Sequence, residues 1–87
     1  MSCDPVNFSG VSAGAFNCCK TTAAQYGVTI SGNSGSGSSH GFTVTWTYDP
    51  AAHTLKLQCT GKPFFIPCSA VNSHIQEAVQ KCISSNP

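Results

Sequence analysis

The run "FTVTWTY", residues 42–48, sets Phe42, Val44, Trp46 and Tyr48 against Thr43, Thr45 and Thr47 in strict alternation. Successive side chains of a strand point to opposite faces, so a period of two gathers the rings and Val44 on one side and the threonines on the other. A helix would scatter the same residues around its axis. One sheet face is therefore apolar, and the remainder of the chain must cover it. "DPAAH" turns the strand, with Asp49 and Pro50 at the first two positions of a type I turn. "TLKLQC" then repeats the alternation, Leu55, Leu57 and Cys59 inward and Thr54, Lys56 and Gln58 outward.

Two segments have the pattern needed for cover. From about Ser12, Val11, Ala15, Cys18, Cys19, Thr22 and Tyr26 recur at spacings of three and four, and Gly27 follows where a left-handed cap ends a helix. Asp4 and Pro5 offer an earlier helix start, which Gly10 and Gly14 weaken. A second amphipathic helix is predicted from about Ser69 to Ile83, its apolar stripe made of Val71, Ile75, Ala78, Val79 and Cys82. Between the first helix and residue 42, "VTISG" reads as a short strand, and residues 32–41, rich in glycine and serine, read as a flexible loop. The expected fold is thus α+β, one domain over residues 1–87. It consists of a three-stranded antiparallel meander with two amphipathic helices packed on one face, in the order α-β-β-β-α.

A chain of 87 residues buries a thin core, and its six cysteines read as a disulfide framework that supplements it. Cys68 and Cys82 flank the last helix about 21 Å apart, beyond the roughly 7 Å that a bridge spans, so they do not pair with each other. The expected pairings are Cys59 with Cys68, Cys82 with Cys18 or Cys19, and Cys3 with the remaining thiol. An extracellular or periplasmic setting follows from such bridges, although "MSCDPVNFSG" lacks the basic start and apolar run of a secretory signal, and a cytoplasmic setting is the alternative.

Charge excludes several classes of function. Only 8% of residues are charged and the net charge is +1, with no arginine at all. Neutralising several phosphates is beyond such a surface, so nucleic acid is not an expected partner, and no apolar run has the length of a membrane span. Catalytic signatures are equally thin. Asp4 and Asp49 are committed to capping and turning, and His74 with Glu77 reads as a solvated helical pair. The vicinal Cys18 and Cys19 do not form the Cys-x-x-Cys of thiol oxidoreductases. No enzyme activity, cofactor or metal site is expected; Cys59, Cys68 and His74 are the nearest approach to a zinc ligand set.

What remains is the outward sheet face. Thr29, Ser31, Thr43, Thr45, Thr47, Thr54, Lys56 and Gln58 form a nearly uncharged platform, and its first strand has no charged guard against pairing at the edge. The leading expectation is a non-enzymatic interaction or self-assembling module that contacts a protein, a glycan or its own copies through this face. The alternative is a carrier of a small apolar ligand, with a pocket between helices and sheet behind "PFFIP". Phe64, Phe65 and Ile66 would either plug the core there or rim the pocket. A thiol or zinc protein is the third reading.

Overall fold

The computed structural model describes residues 3–86, so Met1, Ser2 and Pro87 of the expected domain lie outside the described residues. The order is β1 (Val6–Phe8), α1 (Ala13–Gln25), β2 (Ser34–Ser39), β3 (Phe42–Asp49), β4 (Thr54–Gly61) and α2 (Cys68–Ser85). The class is α+β, as the patterning predicts, but the sheet has four antiparallel strands in the order β1-β4-β3-β2.

Three expectations are corrected. "VTISG" is a connector rather than a strand, and the strand beside β3 is instead "SGSGSS", drawn from the expected loop. Its own alternation explains the exchange. Ser34, Ser36 and Ser38 lie opposite Thr47, Thr45 and Thr43, while Gly35 and Gly37 fall on the inner face. A Cβ at Gly35 would lie 2.9 Å from the Trp46 ring, and one at Gly37 would lie 2.9 Å from a Val28 methyl. Glycine is thus what lets the Trp46 ring and Val28 lie directly over this strand. His40 and Gly41 join β2 to β3, both at positive φ (55° and 84°), as a two-residue type I′ turn requires.

The second correction concerns the start of the chain. Asp4 and Pro5 open no helix; they lead into β1, which pairs with the free side of β4 through Val6–Leu57, Asn7–Lys56 and Phe8–Leu55. The Cys3 N–H donates to the Cys59 carbonyl at 2.7 Å and continues that pairing. The first helix begins after Ser12, whose hydroxyl accepts from the Ala15 N–H at 3.1 Å. It ends at Gly27, φ 86°, with the Gly27 and Val28 N–H groups donating to Ala24 and Ala23, the double bond of a Schellman cap. The last helix runs one residue earlier and two later than its apolar stripe predicts.

The third correction is to the bridges. Cys3 pairs with Cys68 and Cys18 with Cys82, whereas Cys19 and Cys59 are free and buried. Cys59 points into the protein from β4, where its thiol donates to the Gly61 carbonyl at 3.2 Å. Cys68 is instead taken by Cys3, which the β1–β4 pairing carries to the start of the last helix. The Cys82 alternative resolves to Cys18, and Cys19, turned away from it on the same helix, faces the sheet.

Both helices cover the inner face, but they do so unevenly. Phe8, Val11, Phe16, Tyr48 and Leu55 form a dry core at one end. Phe16 stacks on Tyr48 with ring centroids 4.2 Å apart, and the Tyr48 hydroxyl donates to the Val11 carbonyl at 2.7 Å. At the other end Val28, Ile30, Phe42, Val44, Leu57, Val71 and Ile75 are only half-buried. That difference positions the candidate site.

Candidate ligand cavity

A cavity of about 540 Å³ lies between the inner sheet face and the helix pair. Its floor is Phe42, Val44 and Trp46 of β3 with Leu55 and Leu57 of β4. One wall is α1, through Phe16, Cys19, Thr22, Ala23 and Tyr26, and the other is α2, through Ala70, Val71, His74, Ile75, Ala78 and Val79. Val28 and Ile30 of the connector and Ile66 complete it. The helix residues explain why it stays open. A helix layer over a sheet needs long side chains to fill the gap, and here α2 points Ala70, Val71, Ala78 and Val79 into it while α1 adds the short Thr22 and Ala23.

Polar groups are few. Thr22, Ser39, His40 and His74 reach the cavity, with Tyr26 at its rim, 63% exposed. Well-packed domains leave few voids larger than a water molecule, while small-molecule sites occupy roughly 300–1,000 Å³ of largely apolar lining. A space of this size, open to solvent on one side, holds water against an apolar lining, and an apolar occupant would displace that water. Chemically the site offers burial, with orientation set only at its edge.

Cys19 faces this space, and desolvation by burial pushes its thiol from an ordinary 9.0 up to about 11. The direction fixes a pH dependence. In the unfolded chain the thiol ionises near 9.0, and in the folded protein only near 11, so over that window the unfolded state holds fewer protons. The contribution to stability is complete below 9.0 and is lost as the pH rises to about 11. The urea midpoint should therefore fall more steeply across this range than in Cys19→Ala, and equal slopes would contradict the assignment.

The other sequence-derived residues divide. Thr43, Thr45, Thr47, Thr54, Lys56 and Gln58 share the outer face of β3 and β4, as alternation requires. Thr29 and Ser31 belong to the connector and are not in the sheet. Patterning missed Ser34, Ser36, Ser38 and Asn7, which extend that face to both edges. The period-two "SGSGSS" was the available signal. Gln58 is engaged within the fold, its amide donating to the Cys3 carbonyl at 2.9 Å. Of "PFFIP", only Ile66 turns inward. Phe64 and Phe65 are 89% and 72% exposed, packed edge to face against each other, so they do not plug the core. The nearest approach to a zinc set, Cys59, Cys68 and His74, is broken because Cys68 is bridged to Cys3, and no group of three or more His, Cys, Asp or Glu among the described residues could hold a metal ion. No helix among the described residues is long and apolar enough to cross a membrane.

Comparison of the chain with protein-family models, with curated proteins and with solved structures finds no match in any of the three.

Proposed function

We propose that the protein is a non-enzymatic carrier of a small apolar ligand, working outside the cytoplasm. The observation that carries this reading is the 540 Å³ apolar cavity between helices and sheet. The two disulfides favour an oxidising setting. Burial of apolar surface drives the binding, at roughly 25 cal/mol per Å² removed from water. An uncharged fluorophore, N-phenylnaphthylamine, should gain emission on saturable binding. Ile75→Trp, which fills the cavity from α2, is expected to weaken that binding at least about tenfold. Lys56→Ala on the opposite sheet face should leave it unchanged. Absent emission gain in the parent protein, or undiminished binding by Ile75→Trp, would refute the carrier.

A second reading is favoured by a different observation. Ser34, Ser36 and Ser38 carry the hydroxyl comb of β3 onto the edge strand, in rows such as Ser36–Thr45–Gln58. This platform suits contact with a protein, a glycan or a second copy. Sedimentation at rising concentration should show association of the parent protein, abolished in Thr45→Lys, with stability changed by no more than about 0.5 kcal/mol. Association that is equal in both proteins would reduce this face to wet surface.

A further inference from the structure

The helices that roof the cavity meet in successive rungs. Cys18 is bridged to Cys82. One turn on, Thr22 and Ala78 line the same space, and beyond them Tyr26 and His74 do so again. Residues four apart share a helix face, so these pairs mark the seam between α1 and α2. Along this seam lies a second hollow, of about 510 Å³, with a different lining: Gln25, Glu77, Lys81 and Ser85 join the seam residues. The apolar cavity and the polar basin have Thr22, Tyr26, His74 and Ala78 in common. Two of those four are small side chains. An apolar chamber and a polar basin thus share part of one wall along the helix seam.

The charges in the basin define a head group. It holds one carboxylate, Glu77, and one ammonium, Lys81, four residues apart on α2. Taking the carrier reading as its basis, we propose that the ligand is a single-chain zwitterionic amphiphile. Its hydrocarbon chain occupies the chamber, its anionic group meets Lys81 and its cationic group meets Glu77. A simple alkyl carboxylate would bring a like charge to Glu77, and an alkylammonium would bring one to Lys81. A non-ionic head would gain neither pairing.

Calorimetric titration with dodecylphosphocholine, dodecanoate, dodecyltrimethylammonium and dodecyl maltoside, each below its micellar concentration, tests this at constant chain length. Dodecylphosphocholine is expected to bind about fivefold more tightly than each of the others, the gain from two solvent-exposed ion pairs. In Glu77→Gln/Lys81→Met, changed only at exposed positions, that preference should vanish while dodecyl maltoside binds within about twofold of its parent affinity. Equal binding of all four amphiphiles, or a preference that survives the double substitution, would overturn the head-group assignment and leave the chamber intact as a carrier site. Failure of all four to bind would overturn the carrier reading together with it.

Discussion

Replacing Cys3 and Cys68 together by serine lowers the stability of the protein by about 3–4 kcal/mol, read from denaturant unfolding with the slope fitted separately for each protein, since the freed unfolded chain exposes more surface. The bridge joins residues 65 apart, so in the unfolded chain it restrains a long loop. It also ties down β1, a strand of three residues held otherwise by its short ladder to β4. A single domain of this length has roughly 4–13 kcal/mol in total, so this one change removes a large share. The intact protein should be lighter than its fully reduced form by four hydrogens, with two thiols titratable after denaturation, Cys19 and Cys59. A loss below about 1 kcal/mol would mean that β1 is held by its ladder and the Phe8 contact alone.

Phe16→Ala is the second large change, with an expected cost of about 3–5 kcal/mol. Phe16 is 3% exposed, stacks on Tyr48 and underlies Lys20, whose ammonium lies 5.0 Å from the ring centre. It marks the border between the dry core and the cavity, so its removal merges a new void with an existing one and leaves little to collapse into it. Tyr48→Phe separates packing from hydrogen bonding at the same place. It keeps the stack but leaves the buried Val11 carbonyl without its hydroxyl donor, at about 1–3 kcal/mol. A cost for Phe16→Ala near that of an exposed site would place the core elsewhere.

How far the sequence reveals this architecture depends on side-chain size. β3 and β4 were legible because large apolar residues alternate there with polar ones, and the pattern survives into the observed register at Trp46–Leu57 and Tyr48–Leu55. Both helices were legible from their stripes. β2 was hidden because glycine and serine carry no hydropathy contrast. Its strand character comes from a partner, the Trp46 ring, that requires glycine opposite it. β1 was masked by Asp4 and Pro5, which resemble a helix start until β4 offers an unpaired side. Connectivity of the cysteines was legible only as a set of allowed pairs, since spacing excludes partners but does not choose among those left.

The candidate site follows the same division. Alternation placed Thr43, Thr45 and Thr47 outward without ambiguity. It was silent on whether the inner residues would meet the helices closely or stand apart from them. That depends on the summed reach of Ala70, Ala78, Val44 and Leu57 across the gap, a property of two layers together that no single segment carries. Phe64 and Phe65 mislead for a related reason. Their hydropathy argues for burial, but Pro63 and Pro67 bound a five-residue stretch too short to turn all three apolar side chains inward, and only Ile66 reaches the cavity.

Trp46 is the chain's single tryptophan, 3% exposed, and it forms part of the cavity floor. Its fluorescence therefore reports occupancy of the cavity directly. A dodecyl amphiphile with bromine at the terminal carbon should quench that emission strongly and saturably, and the unbrominated parent should reverse the quenching by competition. Emission that stays unchanged, or declines without saturation as for random collisions, would mean that no ligand chain enters between the helices and the sheet.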